Sequence, residues 1–421
     1  GATRSVSGRS LQCLFFVTCV TAPEFQKIKF QVYTVHQARY SYTSRMRGGK
    51  LAMVRAPFRR MLSSFPPPLT TESINQSVVS AEYAVRGELV LRAMAHEASL
   101  KAGNPDALPF EKLVYCNIGN PQALAQAALS FPRQVLAMCD CPSLLDAGVF
   151  PADAVARART YLDAVPAGTG AYTESQGIAI VRDEVAAFLE ARDGYAADPG
   201  EIFVTDGASP AVQRLLQLVI AAPDVGIMIP TPQYPLYSAA ICLLGGRQVG
   251  YLLDESNEWD MDVAELRRSL DAARAEGTNV KALAVINPGN PTGQCLGDET
   301  MRAVVELCAE EGMVLLADEV YQENLWRRSD RPWASFKKVV CDMAAEGSDA
   351  AQHVQLASFH SVSKGFVGEC GRRGGFVELH NIDADVKAEL YKLCSVSLCS
   401  NVPGQLMVGL MVNPPAEGDE S

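Results

Sequence analysis

Short apolar runs alternate with amphipathic stretches along the chain from about residue 200 onwards. The strand-like runs are EIFVTD (201–206), GIMIP (226–230), RQVGYLLD (247–254), KALAVIN (281–287), MVLLADEV (313–320), HVQLASF (353–359) and GGFVEL (374–379). Between them, apolar residues recur at helical spacing, as Val263, Leu266 and Leu270 do in DVAELRRSLDAARAEG. This alternation predicts an α/β fold in which a mostly parallel sheet is flanked by helices and binds ligands at its strand ends.

Charge is distributed unevenly along the 421 residues, whose formal net charge is −11. The first 60 residues hold eleven Lys and Arg against a single acid, Glu24, so the remainder of the chain is strongly acidic. An acidic body offers no basic footprint for a phosphate backbone, and we therefore expect no nucleic-acid partner.

The N-terminal segment, residues 1–60, reads as an irregular targeting extension outside the folded body. MVRAPFRRMLSS, from Met53, is rich in Arg and Ser and lacks acids, which is typical of a mitochondrial presequence and predicts the mitochondrial matrix, with the cytoplasm as the alternative. A competing interpretation takes LQCLFFVTCV (11–20) as a short signal segment. Neither this run nor any other is long enough to span a bilayer, so no membrane partner is expected.

The spacing of the cysteines and histidines along the chain does not match that of known metal-binding motifs. The 12 cysteines include no CxxC pair, and the five histidines include no HExxH pair. This usage is typical of reduced thiols in a reducing compartment, and it predicts no metal site.

Three successive apolar runs each deliver a polar group at the carboxyl end. Asn290 follows the first, Asp318 and Tyr321 follow the second, and Lys364 follows the third in SFHSVSKG. Each has an ordinary explanation by itself, since Asn-Pro is a routine turn and an acid after a strand often caps a helix. Together they match the needs of pyridoxal 5'-phosphate: a lysine for its aldehyde, a carboxylate for its ring nitrogen, and donors for its phenolic oxygen.

Further candidates lie close to these groups in the sequence. DGASP (206–210) joins a strand to a helix, so the amides of Ala208 and Ser209 are expected to meet a phosphate at the helix N-terminus. Ser361 and Arg373 flank the lysine and are expected to complete that cradle. Tyr234 is expected to lie on the pyridine ring, although a packed aromatic at a helix start is the structural alternative.

Seven segments give the chain a family resemblance over roughly residues 80 to 415. They are EYAVRGEL (82–89), YCNIGNPQ (115–122), GTGAYTESQGI (168–178), TDGAS (205–209), NPGNPTGQCL (287–296), ADEVYQEN (317–324) and SVSKGFVGECGRRGGF (361–376). In these segments the chain resembles the fold-type I pyridoxal-phosphate-dependent aminotransferases, most closely their alanine aminotransferase branch. NPTG and SxSK alone indicate only the superfamily, whereas YCNIGNPQ and the long lysine segment are specific to the branch.

The resemblance implies a role for each matching residue. Lys364 would form the aldimine and move the proton, Asp318 would pair with the ring nitrogen, and Asn290 and Tyr321 would donate to the phenolic oxygen. Arg373, rather than Arg372, aligns with the phosphate ligand. Tyr172 matches a tyrosine that reaches the phosphate of the neighbouring subunit, which implies a homodimer, and Gly119 matches a glycine whose backbone lies beside the substrate.

The implied reaction is transamination, in which L-alanine and 2-oxoglutarate yield pyruvate and L-glutamate, so small amino acids and 2-oxo acids are the expected partners. A lyase of the aminocyclopropane-carboxylate synthase kind shares the lysine, the aspartate and the NPTG turn, and a non-catalytic dimerisation or binding fragment is a further alternative. A Rossmann dehydrogenase is weaker, because GECGRRGG does not open a strand-to-helix turn with an acid about 20 residues on.

The resemblance also divides the chain into segments. Residues 61–135 match an N-terminal arm and part of a small domain, residues 136–415 the large cofactor domain, and residues 416–421 an end that precedes a further C-terminal domain of about a hundred residues. By this resemblance the small domain is incomplete, and no residue matches the family's arginine that clamps the substrate carboxylate. We therefore expect weak cofactor binding and slow or no turnover. Measurable alanine transamination by the chain itself would contradict that expectation.

Overall fold

The computed structural model describes residues 30–32, 40–42, 68–103 and 108–421. The chain separates into two compact units, Gly1–Pro68 and Leu69–Ser421. In the first unit, two short strands pair antiparallel, β1 (Phe30–Val32) and β2 (Tyr40–Tyr42). Sequence reasoning expected only irregular structure there, while the presequence-like stretch after Met53 lies outside the described residues.

From about residue 200 onwards the second unit alternates helices with strands, as its sequence pattern predicted. Its α-helices are α1 (Gln76–Ser80), α2 (Glu88–Lys101), α3 (Ser130–Asp140), α4 (Ala152–Ala164), α5 (Ala179–Asp193), α6 (Ala208–Val219), α7 (Leu236–Leu244), α8 (Val263–Ala275), α9 (Asp298–Glu311), α10 (Phe336–Ala345), α11 (Asp349–His353), α12 (Ala384–Ser395) and α13 (Val402–Val412). Its strands are β3 (Ile202–Thr205), β4 (Val225–Thr231), β5 (Arg247–Asp254), β6 (Asp260–Met261), β7 (Asn279–Ile286), β8 (Val314–Asp318), β9 (Leu356–Ser361) and β10 (Gly375–His380).

The strands of this unit form one sheet in the order β3-β10-β9-β8-β7-β4-β5-β6. The central pairs β9/β8, β8/β7, β7/β4 and β4/β5 are parallel, whereas β10 runs antiparallel to both of its neighbours and β6 antiparallel to β5. The predicted mostly parallel sheet is therefore confirmed, with antiparallel pairs towards its two edges.

Helices cover both faces of the sheet, and the side chains of a single central strand show it. In β7, Leu283 and Val285 pack into a core with α8, α9 and α10. Ala282, Ala284 and Ile286 pack into the opposite core with α6 and α7. Successive residues of a strand point to opposite faces, and residues 282–286 of β7 are all apolar because both faces are buried there.

A third core joins the sheet edge to the preceding helices. Residues of α3, α4 and α5 pack with α13 and with β3 and β10. No helix among the described residues is long and apolar enough to cross a membrane. The finer predicted division at residues 60, 135 and 415 stays a prediction, since the compact units divide at Pro68.

Candidate active site

The parallel strands end at one edge of the sheet, and a cavity of about 610 Å³ opens there. The antiparallel strand β10 starts at the same edge, because its first residue, Gly375, pairs with both Ser361 at the end of β9 and Thr205 at the end of β3. Of the sequence-predicted site residues, the cavity wall includes Gly119, Ala208, Ser209, Tyr234, Asn290, Asp318, Tyr321, Ser361, Lys364 and Arg373. Strand topology therefore brings together groups that are far apart in sequence.

Lys364 lies three residues beyond the end of β9, in the turn that leads to β10. Its ammonium nitrogen lies 5.2 Å from the ring centroid of Tyr321. A Cβ added to Gly119 would lie 3.6 Å from Lys364 Nζ. The backbone of Gly119 therefore borders the space directly around the amine, and a larger residue would narrow it.

Asp318 is the last residue of β8 and is buried. Its Oδ2 accepts a hydrogen bond from the hydroxyl of Tyr237 at 3.0 Å, whereas its Oδ1 is buried without a partner. Burial raises the pKa of Asp318 to about 6, against the lowering effects of the Tyr237 hydroxyl, the Val320 amide and the Lys364 charge. The free oxygen is an acceptor that a donor in the cavity would satisfy.

Two further polar pairs line the cavity. Asn290 Nδ2 donates to the Tyr321 hydroxyl at 3.1 Å, so these two predicted donors lie side by side. The hydroxyls of Tyr234 and Tyr83 are hydrogen-bonded at 2.9 Å, with the rings edge to face at 6.5 Å. Burial raises the pKa of Tyr234, which therefore stays protonated at neutral pH.

The first turn of α6 gives the cavity an anion-binding end. Ala208 and Ser209 are its first two residues, so their amides lack partners inside the helix. Arg373 lies against this turn, donating from Nη2 to Asp206 O at 3.0 Å and from Nη1 to Ser363 Oγ at 3.4 Å. A Cβ at Gly207 would lie 2.6 Å from Arg373 Nη2, and the φ of Gly207 is +92°, so glycine suits this position on both counts.

The adjacent arginine has a different environment. Arg372 Nε lies 3.9 Å from Glu369 Oε2, and Arg372 is absent from the cavity wall. Arg373, by contrast, forms part of that wall. Ser361 donates to Gly374 O at 3.2 Å and accepts from the Ser363 amide at 3.1 Å. Ser361 is thus buried in the base of the lysine turn.

Tyr172 is the one predicted site residue that the structure does not bring to the cavity. Its side chain is 78 % exposed and is not part of the cavity wall. Its predicted role toward a neighbouring subunit stays a prediction.

Sequence reasoning missed several residues of the site. Tyr237 and Tyr83 bond the predicted Asp318 and Tyr234, and Cys116, Asn117 and Cys370 line the cavity. Tyr237 had no separate signal in the sequence, because a tyrosine within an apolar helix pattern is typical of a buried core residue.

Metal-type clusters do not occur in the part of the chain that the structure describes. There, no three His, Cys, Asp or Glu residues come together as a metal site, and the ten cysteines are free. The chemistry of the cavity comes from an amine, a buried carboxylate, hydroxyls and an anion-binding helix end.

Comparison with protein families matches residues 144–420 to aminotransferase class I and II. The chain belongs to this family. The family is dependent on pyridoxal phosphate. The match covers α4 through α13 and most of the cavity wall, while Gly119 and its neighbours in the wall precede it.

Among curated proteins, the chain is 52% identical over 360 residues to a probable mitochondrial alanine aminotransferase of Dictyostelium discoideum, covering 84% of this chain and 67% of that protein. It is 50% identical over 364 residues to mitochondrial alanine aminotransferase 1 of Arabidopsis thaliana, covering 85% and 66%. It is also 50% identical over 357 residues to glutamate–glyoxylate aminotransferase 1 of the same plant, covering 84% and 71%. The chain thus spans about two thirds of the length of its curated relatives.

Solved structures agree on the fold. An Escherichia coli aminotransferase superposes with a TM-score of 0.64 at 22% identity, covering 82% of this chain and 72% of that one. Alanine aminotransferase from Pyrococcus furiosus gives 0.62 at 21% identity, covering 81% and 73%. The expected fold type I is therefore confirmed.

Proposed function

We propose that this chain carries the cofactor site of a pyridoxal-phosphate-dependent aminotransferase that converts L-alanine and 2-oxoglutarate into pyruvate and L-glutamate. The observation that carries the proposal is that Lys364 and Asp318 line one cavity, and that Asp318 Oδ1 is buried without a hydrogen-bond partner. The names of the two alanine aminotransferase relatives support L-alanine as the amino donor.

The residues of the cavity fit the cofactor in three respects. Asp318 Oδ1 is a buried acceptor without a donor, which a protonated ring nitrogen would supply. The open amides of α6 and the guanidinium of Arg373 suit a phosphate. Gly119 leaves room directly beside the Lys364 amine.

The proposed roles follow from these contacts. Ala208, Ser209, Ser361 and Arg373 would hold the phosphate, Tyr234 would cover the ring, and Asn290 and Tyr321 would donate to the phenolic oxygen. Pyridoxal phosphate, when bound, supplies a carbonyl carbon that exchanges amines and a ring that withdraws electrons from the substrate Cα. Asp318, ionised, would balance the positive charge of the ring nitrogen. Lys364 Nζ would act as the general base that removes the proton from the substrate Cα.

The amino acceptor is the part of the proposal that the relatives leave open. A glutamate–glyoxylate aminotransferase matches this chain at the same identity as the Arabidopsis alanine enzyme, so glyoxylate is a second candidate acceptor. The relatives named above are all aminotransferases, which favours transamination over lyase chemistry.

Covalent labelling tests the site. The purified chain would be mixed with pyridoxal phosphate, reduced with borohydride and mapped by peptide mass, with Lys364→Ala as the test variant. Lys387→Ala removes a lysine outside the cavity and is the matched control. We expect label on Lys364 in the parent and control proteins and none in Lys364→Ala; scattered label, or none in the parent, would overturn the proposal.

The substrates are tested on the same protein. The loaded chain would be mixed with L-alanine and the cofactor absorbance followed, then treated in turn with 2-oxoglutarate and glyoxylate. Recovery of the original absorbance with 2-oxoglutarate supports the proposed pair, while recovery with glyoxylate alone would replace the acceptor. Conversion of S-adenosylmethionine without transfer of its amino group to the cofactor would favour the lyase instead.

We further propose that the protein is a homodimer in the mitochondrial matrix. The exposed Tyr172 supports the dimer, and the basic N-terminal segment together with the mitochondrial names of two relatives supports the location. A fluorescent protein fused behind residues 1–65 would enter mitochondria; its retention in the cytoplasm would contradict the location.

A further inference from the structure

Tyr237 is hydrogen-bonded to Asp318, the proposed partner of the cofactor's ring nitrogen, and is not part of the cavity wall. It is the second residue of α7, its side chain is fully buried, and its hydroxyl lies 3.0 Å from Asp318 Oδ2. Tyr234, three residues earlier, borders the cavity itself. One helix start therefore supplies a ring to the cavity and a hydroxyl to the carboxylate that faces it.

The direction of this hydrogen bond is determined by the environment. Burial, and then the charge of Asp318, raise the pKa of Tyr237 far above its usual value, so the phenol keeps its proton. The carboxylate can only accept when ionised, and Tyr237 is then the donor. Because the bond occupies Oδ2, the unpaired oxygen is Oδ1.

We propose that Tyr237 is a positioning residue for Asp318. Its hydrogen bond to Oδ2 keeps the Asp318 carboxylate ionised and directs Oδ1 at the ring nitrogen of the cofactor. This inference rests on the proposed function, because it assigns a partner to the proposed Asp318 role. Tyr237 touches neither substrate nor cofactor in this assignment; it acts through Asp318.

Removal of the hydroxyl has a defined consequence. In Tyr237→Phe, both oxygens of a buried carboxylate would lack a donor from α7, and the neutral acid would become easier to form. The remaining groups that act on Asp318 are the charge of Lys364 and the backbone amide of Val320. The titratable hydroxyls of Tyr234 and Tyr321 also face the cavity.

The chain provides a matched control in Tyr251. This tyrosine is also fully buried, and its hydroxyl donates to a backbone carbonyl, that of Ala284, at 2.9 Å. Tyr251→Phe therefore removes a buried phenol hydroxyl without touching Asp318. The affinity for pyridoxal phosphate would be titrated by absorbance and fluorescence for both variants between pH 5 and pH 8.

We expect Tyr237→Phe to lower the affinity about ten- to a hundred-fold, the usual range for a hydrogen bond to a charged group, and Tyr251→Phe to leave it within about two-fold. The loss of affinity on acidification should also begin at a higher pH in Tyr237→Phe, because its Asp318 takes up a proton more readily. Equal affinities and pH profiles in the two variants would overturn the inference.

An Asp318→Asn background separates this inference from the proposed function. If Tyr237 acts through the Asp318 charge, adding Tyr237→Phe to Asp318→Asn should change the affinity by less than about three-fold. An undiminished ten-fold loss in that background would show a role for Tyr237 independent of Asp318, and would refute the positioning role. If Asp318→Asn alone binds as well as the parent, the proposed function fails at Asp318 instead.

Discussion

Glu319 follows Asp318 in the chain but has a separate environment with its own titration. It is fully buried, and its Oε1 accepts from the Phe336 amide at 2.7 Å at the start of α10. Burial raises the pKa of Glu319 to about 8, against the lowering charge of Arg192 and with a small raising contribution from Asp193 and Glu378. Ionisation of this side chain in the folded protein is therefore unfavourable at neutral pH.

Glu319→Gln should change how stability depends on pH. Because the folded pKa lies above the ordinary value of 4.5, the folded state holds its proton more tightly. The stability that this provides is complete below pH 4.5 and is lost as the pH rises through about 8, by at most about 1.4 kcal/mol per pH unit. Gln keeps an acceptor for Phe336 and removes the titration.

The measurement is the difference in Tm between the parent and Glu319→Gln at pH 5, 6, 7 and 8. We expect the Tm of Glu319→Gln to rise steadily relative to the Tm of the parent as the pH increases from 5 to 8. Glu306→Gln changes an exposed acid of α9 and is the matched control, expected to show no such trend. A constant difference between parent and Glu319→Gln would mean that Glu319 does not titrate in this window.

Individual site residues differ in how far the sequence reveals them. Asn290, Asp318 and Lys364 were detectable because each follows an apolar run that had to be a strand, and parallel strands end together. Tyr237 was not, because a tyrosine within an apolar helix pattern reads as core. Its significance comes from a contact with a residue 81 positions away, which only the fold creates.

Elements with a regular pattern were predicted closely. In β5, buried Val249, Tyr251 and Leu253 alternate with exposed residues, and the predicted strand has the observed bounds, Arg247–Asp254. The run HVQLASF was placed too early, since β9 covers Leu356–Ser361. Helix α13 has no pattern to detect, because all of its residues except Pro403 are buried and a helix without a polar face shows no period.

The N-terminus of α13 connects two parts of the anion-binding end. Asn401 caps the helix by accepting from the Gly404 amide at 2.7 Å. Its Nδ2 donates to Asp206 Oδ1 at 2.7 Å and to Arg373 O at 3.0 Å. One side chain therefore stabilises a helix end and joins the Asp206 turn to the Arg373 turn.

Asn401→Ala should accordingly weaken both stability and cofactor binding. Loss of a cap costs about 1 kcal/mol, and loss of the two donor contacts should loosen the anion-binding end and lower pyridoxal phosphate affinity about five-fold or more. The control is Asp262→Ala, which removes the cap of α8 at an exposed position. Tm and cofactor titration would be measured for both; an affinity as low in the control would show that general destabilisation is responsible.

At the scale of the whole molecule, the side chain of Tyr172 is exposed and lies outside the cavity wall. The segment that carries it adjoins the loop before α13, since Ser175 Oγ donates to Leu398 O at 2.6 Å. In that loop Val396 is 80 % exposed and Leu398 is half exposed. Large apolar side chains at adjoining positions are typical of a surface that another protein covers, which agrees with the homodimer proposed above.

If Tyr172 completes the cavity of a second subunit, two defective chains should complement each other. In a dimer of Tyr172→Phe with Lys364→Ala, one cavity combines an intact Lys364 with a Tyr172 supplied by the other chain, while the second cavity lacks both. After random exchange of subunits, half of the dimers are mixed, so about a quarter of all cavities should bind pyridoxal phosphate with the parent affinity. In a sample of either variant alone, no cavity should bind pyridoxal phosphate with the parent affinity. Titration of the mixed sample, with sedimentation to verify the dimer, measures this fraction; a mixture that behaves as the sum of its two components would mean that Tyr172 serves no neighbouring cavity.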